Sequence, residues 1–304
     1  MMTGRVKRSP RLIWSLLFLL LPLPAQEAYS QAPRGTVKER LTVDSKILGK
    51  PVRYSIYLPD DYATSERYYP AVYLLHGYTD SDMAWIQFGE ANRIADAAIA
   101  GGTIPPMIIV MPDAGVSWYI NNHDNSVRYE DFFITEFIPL IESAYRVRPG
   151  KQYRGVAGLS MGGFGALVYT LRHPEMFAAC AAFSAAIYTD EETAGKSDEH
   201  WARVDSVLYG ADLKGRDRLT NHYRQYNPIH IVRGADPEKL KGTRFYIDCG
   251  DDDFLYKGNA TFHMLLRDLK VPHEYRVRDG GHTWSYWRSG LTEGLKFIGD
   301  SFHR

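Results

Sequence analysis

The sequence predicts an α/β fold: a mostly parallel central sheet with helices on both faces and an N-terminal antiparallel hairpin. Three observations predict it. Strand-like and helix-like runs alternate from residue 70 onward, which is the pattern of a parallel sheet joined by crossover helices. Two strand-like stretches, Thr36 to Val43 and Val52 to Leu58, flank the turn material Leu48-Gly49-Lys50-Pro51 and read as a hairpin that adds antiparallel edge strands. Between one strand-like run (Tyr153 to Ala157) and one helix-like run (Phe164 to Leu171) lies Gly158-Leu159-Ser160-Met161-Gly162-Gly163.

At 304 residues the chain has room for one α/β domain of about 250 residues behind a leader. Residues 1–31 read as a secretory signal peptide. Arg5, Lys7, Arg8 and Arg11 lead into an apolar run from Leu12 to Pro24 that is too short for a comfortable transmembrane span, and small and polar residues follow. Cleavage is expected after Ala25 or Ser30. No cysteine lies near the end of the leader, so lipid attachment is not supported. The expectation is an exported protein, periplasmic or secreted, without a stable membrane anchor, whose residues 32–304 form a single domain. Apolar content of 45% and charged content of 24% are ordinary for a globular chain. Past residue 31 there are 32 basic against 35 acidic side chains. No basic face is implied, which argues against nucleic acid as a partner. Cys180 and Cys249 both sit in apolar strand-like runs, which favours buried free thiols over a disulfide.

After the hairpin, Ala71 to Leu75 is a continuous apolar run, expected as a strand buried on both faces and ending in His76-Gly77-Tyr78. Ala91 to Ala100 is alanine-rich and helical, and Met107 to Met111 is a further buried strand. Arg128 to Tyr145 carries helical spacing through Phe132, Phe133, Phe137, Leu140 and Ile141, with a kink expected at Pro139. Ala178 to Phe183, Thr243 to Cys249 and Glu274 to Val277 complete the strands. Ala260 to Leu269 and Leu291 to Phe302 complete the helices. The stretch at about 188–232 is polar, carries scattered aromatics (Trp201, Tyr209, Tyr223, Tyr226) and breaks the alternation. It is expected as an insertion of short helices over the C-terminal strand ends, either a lid lining the pocket or a surface excursion.

The glycine-framed serine has the context of a nucleophile elbow, a sharp strand-to-helix turn that projects a hydroxyl above the sheet. Gly158 and Gly162 leave room for that turn, and a helix starting at Met161 aims its first N–H groups at the site. This points to the α/β-hydrolase fold, in which the triad order is serine, acid, histidine. A serine hydroxyl needs an adjacent base held by a third group. His282, in Gly280-Gly281-His282-Thr283-Trp284 after the last strand, has the order and position for that base. The acid belongs in the loop after the penultimate strand, where Asp248, Asp251, Asp252 and Asp253 are candidates. An oxyanion hole needs two N–H groups. One is expected from Met161 and the other from the His76-Gly77-Tyr78 loop. The aspartate spacing matches no EF-hand loop, so neither a metal nor a cofactor is expected.

Taken together, Tyr73-Leu74-Leu75-His76-Gly77, the Ser160 elbow, Cys249-Gly250-Asp251-Asp252-Asp253-Phe254-Leu255 and Gly280-Gly281-His282-Thr283-Trp284 resemble the esterase-D-like group, also called carbohydrate esterase family one. The resemblance covers roughly residues 37 to 302. It implies that Asp253 is the triad acid and that Tyr78 supplies the first oxyanion amide. The group includes feruloyl and acetyl xylan esterases, S-formylglutathione hydrolases, tributyrin-type esterases and mycolyltransferases. The cytosolic S-formylglutathione hydrolases fit the leader poorly. Val116-Ser117-Trp118-Tyr119-Ile120-Asn121 resembles the corresponding loop of the tributyrin-esterase and mycolyltransferase branches. Trp118, Tyr119 and Trp284 are candidate substrate-binding residues, able to stack on a sugar or a phenolic ring. The expected function is an exported serine esterase acting through an acyl-enzyme on feruloyl or acetyl groups of plant polysaccharides or oligosaccharides. The alternatives are a broad short-chain esterase or acyltransferase and, from another class, a non-catalytic binding protein.

Overall fold

A computed structural model describes residues 34–302 together with Met1, Met2 and Gly4. The apolar run of the leader lies outside the described residues. Eight strands form one sheet: β1 (Thr36–Ser45), β2 (Lys50–Leu58), β3 (Ala71–Leu75), β4 (Ile108–Pro112), β5 (Arg154–Leu159), β6 (Ala179–Phe183), β7 (Arg244–Asp248) and β8 (His273–Arg276). Their spatial order is β1-β2-β4-β3-β5-β6-β7-β8. The hairpin pairs β1 with β2 and β2 with β4 antiparallel, and every other neighbour is parallel. The principal helices are α1 (Ala91–Ala100), α2 (Met161–Arg172), α3 (Tyr256–Asp268) and α4 (Trp284–Gly299).

The continuous apolar runs are central strands because both faces are covered. On β3, Tyr73 and Leu75 face a core shared with α2 residues Phe164 and Leu167. Val72 and Leu74 face a second core shared with Ala95 of α1 and Leu291 and Leu295 of α4. The period of two along the strand therefore feeds two cores rather than a core and solvent. Each such buried side chain contributes about 1.5–3 kcal/mol.

Three helices differ from the sequence expectation, and the one expected from Ala260 begins at Tyr256. The helix ending in Ile138–Ala144 carries a π turn, Phe133–Phe137, in which the Ile138 N–H donates to the Phe133 carbonyl. The wider turn lies directly before Pro139, which has no N–H to offer. α4 begins seven residues before Leu291: Thr283 caps it, accepting from Tyr286 N–H at 3.4 Å. Polar Ser285, Arg288 and Ser289 on its first turns dilute the apolar period, yet Tyr286 and Trp287 are buried there.

Residues 188–232 fold as short helical pieces, among them Asp190–Gly195, Asn221–Tyr226 and the start of Pro228–Gly234. Side-chain caps from Thr189, Thr220 and Asn227 satisfy their first N–H groups. Glu130 ties this region to the body. Its buried carboxylate accepts from Arg172 Nε (2.7 Å) and Tyr226 OH (2.7 Å) and lies 2.9 Å from His173 Nε2. Cys180 and Cys249 are buried free thiols, and burial pushes the Cys180 thiol up to about 12. Among the described residues no helix is long and apolar enough to cross a membrane.

Candidate active site

The turn between β5 and α2 sets the site. Ser160 holds φ +51° and ψ −115°, a conformation that costs a non-glycine residue about 1–3 kcal/mol. Three backbone hydrogen bonds pin it there. Ser160 N–H donates to Phe183 O (2.9 Å), and Ser160 O accepts from Phe164 N–H (2.9 Å) and Ala186 N–H (3.0 Å). A Cβ on Gly158 would lie 2.4 Å from the Gly162 backbone, and one on Gly162 would lie 2.4 Å from Leu75 O. Strand, helix and the end of β3 meet at backbone contact, which only glycine permits.

His282 hangs from the loop after β8. Its Nε2 is 2.9 Å from Ser160 Oγ, and its Nδ1 is 2.9 Å from Asp253 Oδ2 and 3.1 Å from Oδ1. A carboxylate accepts only, so Nδ1 carries the proton and Nε2 is left to accept the serine O–H. Phe254 and Trp287 flank the imidazole, with ring centroids 4.6 and 4.8 Å away. The Asp253 side chain is fully buried, whereas His282 is 20% exposed. Burial pushes the Asp253 carboxyl up. Hydrogen bonds from His282, the Ser184 hydroxyl and Leu255 N–H outweigh it and hold the carboxyl below its usual range.

The competing aspartates are committed elsewhere. Asp248 is buried against Arg278 Nε (3.0 Å) and the hydroxyls of Tyr246 and Tyr286. Asp251 and Asp252 are exposed and join the acid loop to the histidine loop. Asp251 N–H donates to Arg278 O (3.1 Å), Asp252 N–H to Gly280 O (3.1 Å), and Asp251 Oδ1 accepts from Gly280 N–H (3.0 Å).

The loop after β3 lies over the nucleophile. A Cβ on Gly77 would sit 3.9 Å from Ser160 Cβ and only 2.7 Å from Leu159 Cδ1. The next amide, Tyr78 N–H, donates to no protein group among the described residues. Met161 opens α2 and has no carbonyl one turn earlier in the helix. Buried His76 braces this loop. Its Nδ1–H donates to Gly77 O (2.8 Å) and its Nε2 accepts from Ala114 N–H (2.9 Å). Burial holds its pKa below the usual histidine value, so it is a neutral strut.

The serine, Tyr78, Trp118, His282 and Trp284 line one cleft of about 540 Å³. Tyr119 does not line it, which corrects the sequence expectation. Trp118 and Tyr119 both have positive φ (56° and 63°), and the turn sends the two rings apart. Trp118 forms cleft wall. Tyr119 is fully buried and its hydroxyl donates to His76 O (3.1 Å). Sequence reasoning missed Asp80, Tyr188, His200, Arg203 and Val204, which also line the cleft. Four of these come from the 188–232 region, whose placement no local motif encodes. A second cleft of about 510 Å³ lies between the hairpin turn and residues 113–117 and contains no nucleophile–base pair.

A hydroxyl on an imidazole that is itself held by a buried carboxylate is the arrangement of an activated oxygen nucleophile. The Esterase family model, described as "Putative esterase", matches residues 45–298. Esterase Rv1288 of Mycobacterium tuberculosis is 32% identical over 253 residues, 76% of this chain and 52% of that protein. The endo-1,4-beta-xylanase/feruloyl esterase of Xylanibacter ruminicola is 32% identical over 183 residues, 57% of this chain and 25% of that protein. The chain thus spans about half or less of the length of these curated relatives. A solved ferulic acid esterase is 34% identical with a TM-score of 0.76, covering 88% of this chain and 99% of its own. With a family model spanning most of the described residues and a triad-like constellation at its centre, the chain belongs to the Esterase family.

Proposed function

We propose that this chain is an exported serine esterase that hydrolyses carboxylic esters through an acyl-enzyme, with feruloyl or acetyl groups on plant polysaccharides or oligosaccharides as its substrates. The observation that carries the reading is the continuous link Asp253–His282–Ser160, with 2.9 Å at each junction. Ser160 Oγ attacks the ester carbonyl while His282 Nε2 takes its proton. Tyr78 and Met161 N–H groups stabilise the oxyanion, each worth about 3–4 kcal/mol. His282 returns the proton to the departing alcohol. Water, deprotonated by His282, then releases the acid from the acyl-enzyme. Asp253 holds the imidazole tautomer throughout.

The substrate class draws support from the names of the relatives and from the aromatic wall of the cleft, where Trp118 and Phe254 suit a phenolic acyl group. Export rests on the leader pattern and is tested by the N-terminus of the secreted form, expected after Ala25 or Ser30. Ser160→Ala is expected to abolish p-nitrophenyl acetate hydrolysis while leaving circular dichroism and Tm unchanged. Retained activity would overturn the mechanism. An ester panel of methyl ferulate, acetylated xylan and tributyrin tests the substrate class, and a preference for tributyrin favours the broad short-chain alternative.

A further inference from the structure

Phe88 is 50% exposed although it is large and apolar. It packs against Trp284, which lines the ester cleft, at 5.7 Å between ring centroids. From Trp284 the rings continue inward to Trp287 (5.4 Å) and on to His282 (4.8 Å). The outer end of this series is rigid. Trp284 is braced edge-on at 5.3 Å by buried Trp85, whose Nε1–H donates to Leu75 O (2.9 Å). Beside Phe88 stand two half-exposed charged groups. Arg288 Nη1 donates to Phe88 O (3.2 Å) and to Glu90 Oε1 (3.0 Å), and Glu90 holds a left-handed φ of +51°. Trp284 packs on the edge of the second core, whereas Phe88 belongs to neither core and takes no part in the proton transfers.

We propose that Phe88 and Trp284, framed by Glu90 and Arg288, form a sugar-stacking subsite that extends the ester cleft and takes a pyranose ring of the glycan carrying the ester. The inference rests on the substrate class proposed above. In an acylated glycan the alcohol half is the part that continues as a polymer, so it is the part that must leave the cleft across its rim. A pyranose presents an apolar C–H face to an aromatic ring and equatorial hydroxyls at its edge. An aromatic platform with a carboxylate acceptor and a guanidinium donor beside it offers both kinds of contact. An acyl chain or apolar peptide laid there would desolvate Glu90 and Arg288 without replacing their water. Exposed apolar surface rimmed by polar groups and continuous with a cleft is the usual form of a binding groove.

The test compares Phe88→Ala with the parent protein on methyl ferulate and on feruloylated arabinoxylan oligosaccharides of increasing length. In the parent, KM is expected to fall as the glycan lengthens. Phe88→Ala is expected to raise KM for the longer glycan esters about 3- to 10-fold, with kcat and the methyl ferulate reaction unchanged, and Phe88→Tyr to restore the parent KM. Ser160→Ala is expected to bind unesterified arabinoxylan oligosaccharide by calorimetry, more weakly once Phe88→Ala is added. If glycan esters are cleaved but Phe88→Ala leaves their KM unchanged, the subsite is wrong and the substrate class stands. If methyl ferulate is cleaved and the glycan esters are not, the substrate class fails and the subsite with it. Binding of phosphatidylcholine vesicles in place of the oligosaccharide would also overturn the proposal.

Discussion

Two of the carboxylate–imidazole pairs among the described residues have the same separation. Asp253 and His282 are 2.9 Å apart, and so are Glu130 and His173. Their surroundings differ. The Glu130 carboxylate is also shared with Arg172 and Tyr226, and the second nitrogen of His173 faces the exposed acid Glu175 at 3.9 Å. Among the described residues the Asp253 carboxylate meets no lysine or arginine, and the second nitrogen of His282 faces Ser160 Oγ. The distance within a pair therefore says little about its use. A pair whose charge is satisfied on every side fastens elements together. One that leaves a nitrogen directed at a hydroxyl on a strained turn is built to move a proton.

The largest expected effect separates the pairs by rate. Asp253→Asn should lower kcat for p-nitrophenyl acetate about 10⁴-fold by releasing the wrong His282 tautomer, while Glu130→Gln should leave kcat within about threefold in the same assay. Equal losses would erase the distinction. The next effect separates them by stability. Burial alone would raise the Glu130 carboxyl, but His173, Arg172 and Tyr226 hold it down at about 2. Its folded pKa is thus below the unfolded value of about 4.3. The stabilisation is complete above that unfolded value and is lost as pH falls from there toward 2. Arg172 is partly exposed, so about 2–3 kcal/mol is expected. Glu130→Gln should lower Tm at pH 7 and flatten the decline of Tm between about pH 4.3 and 2, as read by calorimetry. The smallest effect tests the loop that both Tyr119 and His76 support. Tyr119→Phe removes one hydrogen bond to His76 O, costing about 1 kcal/mol and a few-fold in kcat with no change in KM. A selective rise in KM would place Tyr119 in the substrate cleft after all.

The legible parts of this chain were those written locally. Ala71–Leu75 and Ala91–Ala100 coincide with the expected strand and helix because a continuous apolar run and an alanine-rich run each have one reading. Ser160, His282 and the loop at Tyr78 were locatable because glycines stand beside each: Gly158 and Gly162 where backbone meets backbone, Gly77 against the Leu159 side chain and Gly280 against the Tyr286 ring. Residue type could not choose among four aspartates. The family resemblance points to Asp253, and in the structure it is Asp253 that lies against His282 while Asp248, equally buried, is held by Arg278. The opposed directions of Trp118 and Tyr119 depend on two consecutive left-handed residues, which leave no trace in periodicity. The presence of His200 and Arg203 in the cleft depends on how Glu130 and the caps seat the inserted helices, a purely tertiary matter.

Hydrogen bonding between β7 and β8 does not stop where the strands end, and the ladder from Asp251 and Asp252 to Arg278 and Gly280 has a dynamic consequence. Asp253 and His282 ride on one ribbon, so breathing of this outer edge carries them together and preserves their mutual alignment. Ser160 follows β5, two strands inward from β7, where the strand is paired on both sides. The gap between imidazole and hydroxyl is then the coordinate along which the site loosens, and slow amide exchange at Asp251 and Asp252 is the expected sign that the ribbon itself stays closed.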